Sequence, residues 1–267
     1  MRQFVLPASY HGEAQFRLEG PEFTYLVRVL RMKEGDHFAG LDPGGKVVHV
    51  TIASIEPRGC ILQIERRGPR HAEDASSSLR PSTDPPNATP IYISLYQCLP
   101  KGRKMDIIVR QATEAGVDRI VPVVSTHSIP RYAPDEVEGK ISRWKRIVRE
   151  ALQQSGNAVS PELSAPVSLN DVANDWSNRG IGLFCHERPL ANKTLHEYLS
   201  SDATRVALVI GPEGGLSPGE VETLKRAGFD GIYLGKNVLR VETAALYAVA
   251  AVRIVHLEKA TWRLRER

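Results

Sequence analysis

Arg240 and Glu242 stand on either side of Val241, directly after a glycine-bearing loop that runs Leu234-Gly235-Lys236-Asn237-Val238-Leu239. A guanidinium can stabilise negative charge as it develops, and a carboxylate can accept a proton. The pair therefore has the composition of an acid–base site, although an Arg–Glu ion pair that only braces a loop uses the same residues. A second glycine loop precedes it, Gly211-Pro212-Glu213-Gly214-Gly215-Leu216-Ser217, fed by the β-type run Val206-Ala207-Leu208-Val209-Ile210. Glycine leaves backbone N–H groups uncovered and admits close approach of a ligand. Two such loops, each leaving a strand and entering a helix, predict a main-chain-lined pocket for a small cofactor.

The elements that must hold these loops carry their own signals. Ser217 suits a helix N-cap, Pro218 the first helical position, and Glu220 completes a capping box, with Gly228 placed to end the helix. The apolar stretch from Thr243 to Leu257 predicts a helix with Arg240 and Glu242 at its N-terminus. Strands are expected at Ile91 to Gln97, Ile120 to Val124, Ile181 to Cys185, Val206 to Ile210 and Gly231 to Leu234. Helices are expected near 104–115, 135–154, 191–200, 218–227 and 243–257. This alternation predicts an α/β domain with a mostly parallel sheet.

Upstream the pattern differs. Lys46 to Ile52 and Cys60 to Ile64 alternate with period two, so a small β domain is expected before residue 70. Residues 68–90 are dense in Pro and Ser and lack apolar periodicity. The expected division is a domain over 1–70, a linker over 71–90 and an α/β domain over 91–267. Phe23 to Met32 predicts a short helix that carries Arg28 and Arg31 on neighbouring positions, either as phosphate contacts or as a solvated face. Gly40-Leu41-Asp42-Pro43-Gly44-Gly45-Lys46 has the spacing of a phosphate-binding P-loop. The next residue is Val47 instead of Ser or Thr, and a strand pattern follows, so a hairpin turn is expected there.

Composition narrows the class. A chain of 267 residues with 42% hydrophobic and 25% charged residues suits a soluble protein of two domains. The apolar run Thr243 to Val252 is too short to cross a bilayer, and Met1 to Pro7 lacks the apolar core of a signal peptide, so a cytoplasmic location is expected. The three cysteines, Cys60, Cys98 and Cys185, are widely spaced, and none of the eight histidines pairs at zinc-site spacing; no metal is expected. The net charge of +4 gathers within residues 1–70 and 101–150. Such an excess suits a phosphate backbone or an ordinary solvated surface.

The two carboxy-terminal loops, read with Lys101-Gly102-Arg103-Lys104-Met105, Thr113-Glu114-Ala115-Gly116-Val117, Arg143-Trp144, Gln154-Ser155-Gly156 and Tyr25 to Arg31, resemble the ribosomal RNA small subunit methyltransferase E family of the SPOUT superfamily. The resemblance covers nearly the whole chain. It implies a PUA-like RNA-binding barrel followed by an α/β trefoil-knot domain, a homodimer, and S-adenosylmethionine-dependent methylation of uridine N3 in small-subunit (16S) ribosomal RNA, free or in an assembled subunit. On that basis His186, Glu187, Ile210, Gly211, Gly214, Leu234, Gly235 and Leu239 are expected to hold the cofactor. Glu242 is expected to take the N3 proton and Arg240 to stabilise the uracil oxygens, while Arg28 and Arg31 meet RNA phosphates and Lys101, Arg103 and Lys104 either grip the phosphates flanking the target or form only a basic surface cluster. Asn157 departs from the family's usual arginine, and Gln111 and Ala115 replace frequent Lys and Leu. Two other readings stay open: a SPOUT enzyme that methylates a ribose 2′-hydroxyl, and an RNA-binding or ribosome-assembly protein without catalysis.

Overall fold

The computed structural model describes residues 4–43, 46–65, 91–155, 160–176, 180–190, 193–199 and 204–261. The expected linker over 71–90 and the departure at Asn157 lie outside the described residues. Cα proximity divides the chain into residues 1–83 with 152–160, and residues 84–151 with 161–267.

The first unit holds β1 (Phe4–Val5), β2 (Gln15–Glu19), α1 (Gly20–Thr24) with a π-helical turn (Tyr25–Val29), β3 (His37–Leu41), β4 (Val47–Glu56) and β5 (Gly59–Glu65). The sheet order is β1-β3-β4-β5-β2, with β1 parallel to β3 and the other pairs antiparallel. Alternation along β4 sends Val48, Val50 and Ile52 into a core shared with Phe4, Leu18, Leu26 and Leu62. The P-loop look-alike is the β3–β4 connection. The Asp42 N–H donates to the Lys46 carbonyl at 2.8 Å, and the Lys46 N–H to Asp42 Oδ1 at 2.9 Å. The expected helix over Phe23 to Met32 starts earlier, at Gly20, and widens into the π turn. It closes with Arg31 at φ 56° while the Met32 N–H reaches the Leu26 carbonyl.

From residue 91 the elements are β6 (Tyr92–Cys98), α2 (Lys104–Glu114), β7 (Arg119–Val124), α3 (Pro134–Ser155), β8 (Glu162–Leu163), β9 (Val167–Ser168), α4 (Leu169–Trp176), β10 (Ile181–Cys185), α5 (Leu195–Tyr198), β11 (Arg205–Ile210), α6 (Pro218–Arg226), β12 (Phe229–Ile232) and α7 (Val241–Thr261). Every pair in this sheet is parallel, in the order β12-β10-β11-β6-β7-β8, with β9 also on β7. Buried residues alternate between the two faces. Tyr96, Cys98, Val121, Val123, Phe184, Ala207 and Val209 form one core with Leu169, Val172 and Trp176 of α4 and Leu224 of α6. Helices α2 and α7 pack on each other, and α7 also covers β6 and β11. A parallel sheet covered on both faces explains the nearly unbroken apolar run of β11.

Other elements also depart from expectation, among them the short β8 and β9, which no alternation announced. The helix near 191–200 shrinks to four residues, Leu195–Tyr198, held by a capping box between Thr194 and Glu197. Helix α4 is unannounced because its Asn and Asp residues read as loop formers, yet Leu169, Val172 and Trp176 recur at helical spacing and are buried. The last strand lies at Phe229–Ile232 instead of Gly231 to Leu234, because Phe229 is drawn into the core beside Gly182.

Candidate active site

Strand β10 lies between β11 and β12 although it precedes both, so the chain leaves β10 for one neighbour and returns on its other side. Loops at the carboxyl ends of such strands separate and leave a crevice. The cleft found there encloses about 190 Å³ and is lined by His186 and Glu187 after β10, Ile210, Gly211, Glu213, Gly214 and Leu216 at the end of β11, and Leu234, Gly235, Asn237, Val238 and Leu239 after β12. All eight residues expected to hold a cofactor line this one cleft. Glycine is required at two of these positions for different reasons. A Cβ on Gly211 would lie 3.3 Å from the backbone of Gly215 and Leu216, whereas Gly235 has φ 120°, where side chains are rarely tolerated.

The loop after β11 is fixed from outside as well as by its own turns. Ser217 Oγ accepts the Glu220 N–H, and Glu220 Oε2 accepts the Ser217 N–H at 2.8 Å, completing the expected capping box. Glu220 Oε1 accepts the Thr126 N–H at 2.7 Å, so the cap carboxylate also ties the loop to the end of β7. His127 packs against Gly214 and its Nδ1 lies 3.1 Å from the Gly215 carbonyl. Within the cleft, His186 Nδ1 accepts the Arg188 N–H at 3.0 Å, which in the neutral ring places the proton on Nε2.

Glu213 is the charged contact that sequence reasoning missed. Its Oε1 meets Lys104 Nζ at 2.7 Å, and both carboxylate oxygens face the Lys101 N–H, at 3.1 and 3.2 Å. Partial burial works to raise the Glu213 pKa, but the Lys104 ammonium and the N–H donors outweigh it and hold the group below its usual 4.5. Lys104 is thus engaged inside the fold, while Lys101 and Arg103 are exposed around Gly102. Only spatial adjacency of β6 and β11 could have revealed this pair; Glu213 and Lys104 are far apart in the chain.

Arg240 and Glu242 do not line the cleft, although Val241 and Ala244 beside them do. Arg240 is exposed, and its carbonyl accepts the Ala244 N–H at the start of α7. Glu242 is half-buried in the first turn, and its Oε2 has no hydrogen-bond partner among the described residues. The two side chains are not paired as a bracing ion pair there. In the first unit, Arg28 borders a shallow groove with Phe23, Pro57 and Arg58, and Arg31 is exposed in its left-handed turn. Among the described residues no cluster of His, Cys, Asp and Glu could hold a metal ion, and no helix is long and apolar enough to cross a membrane.

Known families match two separate stretches of the chain. The RNA methyltransferase domain family matches residues 87–253, and the RNA methyltransferase PUA domain family matches residues 18–65. The ribosomal RNA small subunit methyltransferase E of Aquifex aeolicus is 36% identical over 162 residues, covering 60% of this chain and 68% of its own length. The protein of that name from Synechocystis is 29% identical over 243 residues, or 90% of this chain and 73% of its own. A methyltransferase structure from Legionella pneumophila, with S-adenosylmethionine bound, superposes with a TM-score of 0.74 at 26% identity, covering 95% of this chain and 98% of that one. With the matched domains, the glycine-loop cleft and these relatives in agreement, the chain belongs to the ribosomal RNA small subunit methyltransferase E family of RNA methyltransferases.

Proposed function

We propose that this protein transfers a methyl group from S-adenosylmethionine to N3 of a uridine in small-subunit ribosomal RNA. The carrying observation is the cleft at the ends of β10, β11 and β12. It offers main chain and apolar side chains from Ile210, Leu216, Leu234 and Leu239 to a flat ring, and its charged lining residues are Glu187 and the Lys104-paired Glu213, with no Lys or Arg in the lining. That charge suits a cationic ligand and disfavours a nucleotide polyphosphate. S-adenosylmethionine, when bound, supplies a methyl group activated on a sulfonium. His186 offers Nε2–H to an acceptor on the cofactor, and the backbone of Gly211, Gly214 and Gly235 permits close approach.

Methylation at N3 replaces an N–H with an N–CH3, so the protein must remove the N3 proton and hold the base in line. In this reading Glu242 takes the proton after a shift that uncovers its buried, unpartnered Oε2, and Arg240 stabilises the negative charge left on the uracil oxygens. N3 lies on the pairing edge, so the uridine must be turned out of any helix. The first unit supplies further RNA contacts through Arg28 and Arg31. A homodimer accords with Tyr247 and Ile254, seven residues apart on one side of α7 and each about half exposed. The expected cytoplasmic location accords with a ribosomal RNA substrate.

The test is methyl transfer from labelled S-adenosylmethionine to small ribosomal subunits lacking the modification, with nucleoside analysis of the RNA. Label in 3-methyluridine is expected. Label in a 2′-O-methylated nucleoside would replace this reading with ribose methylation. Cofactor binding without transfer to subunits or free RNA would leave an RNA binder.

A further inference from the structure

Glu213 belongs to two places at once. It lines the cleft at the end of β11, and its carboxylate grips the loop after β6 through Lys104 Nζ and the Lys101 N–H. The ion pair lies at the surface with its side chains partly covered, at 23% exposure for Glu213 and 31% for Lys104. Between its two anchor points the loop turns at Gly102, φ 64°, and leaves Lys101 and Arg103 exposed. Arg103 occupies the N-cap position of α2 and makes no capping bond with its side chain.

We infer that Glu213 is a positioning residue that docks the cationic 101–104 loop on the cofactor cleft, so that Lys101 and Arg103 meet RNA phosphates while Lys104 serves as an internal counter-ion. This rests on the reading of the cleft as a cofactor site and of the loop as RNA-facing. The physical consequence is coupling. A molecule that settles against the loop after β11 restricts Glu213, and Glu213 restricts the loop that meets RNA. Occupying the cleft therefore raises RNA affinity, and by linkage RNA raises cofactor affinity equally. The acidic partner also keeps Lys104 from joining the phosphate contacts, which the sequence alone assigns to all three cations.

The experiment measures binding of protein-free small-subunit ribosomal RNA across a potassium chloride series, with and without S-adenosylhomocysteine in the cleft. Each lost phosphate contact lowers the log–log salt slope by about one. Lys101→Met and Arg103→Met are each expected to lower it so, and Lys104→Met to leave it unchanged. S-adenosylhomocysteine is expected to tighten RNA binding on the order of fivefold. That gain should vanish in Glu213→Gln and Lys104→Met and persist in Lys104→Arg, which keeps a cation opposite Glu213. In single turnover, Glu213→Gln should raise the RNA concentration for half-maximal rate more than it lowers the maximal rate.

A slope reduced by about one in Lys104→Met would overturn the counter-ion role. Tightening retained in Glu213→Gln would overturn the coupling. Calorimetry of the unaltered protein with S-adenosylmethionine separates the two levels, since absence of binding there removes the cofactor reading itself. If Glu213→Gln does not fold, the Lys104→Met and Lys104→Arg variants decide.

Discussion

The Arg119 guanidinium grips the Asp175 carboxylate with two nitrogens, Nη1 at 2.5 Å and Nη2 at 3.1 Å, tying β7 to α4. Tyr96 donates its hydroxyl proton to the same carboxylate from β6. Burial works against the charge on Arg119, but the bonds to Asp175 prevail and raise its pKa. Because Arg119 is only 11% exposed and its other carboxylate, Glu162 at 3.5 Å, is itself largely in solvent, removing Asp175 leaves a covered charge weakly answered. Asp175→Asn is expected to cost about 2–3 kcal/mol in urea unfolding. Tyr96→Phe should cost less, about 1 kcal/mol, since the ion pair remains.

Three glycine substitutions separate cleft geometry from general stability. Gly235→Ala places a side chain at φ 120°, and Gly211→Ala pushes a Cβ into the loop that faces the cleft. Both are expected to weaken S-adenosylmethionine binding about tenfold or more, the equivalent of about 1.4 kcal/mol, in calorimetry. Gly219→Ala, inside α6 with open space around its Cβ, should leave binding unchanged and raise stability by about 0.5–1 kcal/mol.

Glu242→Gln keeps the shape of the side chain and removes its capacity to take a proton. Cofactor affinity is expected to stay within about twofold, while single-turnover methyl transfer falls by on the order of a hundredfold. Equal losses in binding and turnover would assign Glu242 to bracing the start of α7 instead.

Glu220 governs an acid-sensitive contribution to stability. Burial alone would raise its pKa, but the Thr126 and Ser217 N–H donors prevail and hold it below the usual 4.5. A carboxyl with a lowered folded-state pKa contributes stability that is fully present above its unfolded value and lost as pH falls through the folded one. The stability gap between the unaltered protein and Glu220→Gln should therefore be full near about pH 6 and shrink near about pH 3, measured by urea unfolding at both.

Much of the site was readable because its signals are local. The Ser217–Glu220 capping box formed as expected, since both partners lie within one turn, and the strand-end positions of His186 and Gly211 follow from where β-type runs stop. The short α4 was hidden because eight residues containing Asn and Asp carry too little periodicity, and only burial of Val172 and Trp176 compensates for their weak propensity.

Sequence by itself determined the class of the protein: a β domain, a parallel α/β domain, two glycine loops after strands, and the family resemblance that joins them. Those features depend on spacing within a few residues, where backbone preference and apolar alternation act directly. Tertiary structure alone decided that Arg240 and Glu242 stand outside the lining of the cleft and that Lys104 answers to Glu213. The reason is physical. Strand order in a parallel sheet is set by how helices cover both faces, so residues far apart in the chain become neighbours only when the sheet has closed.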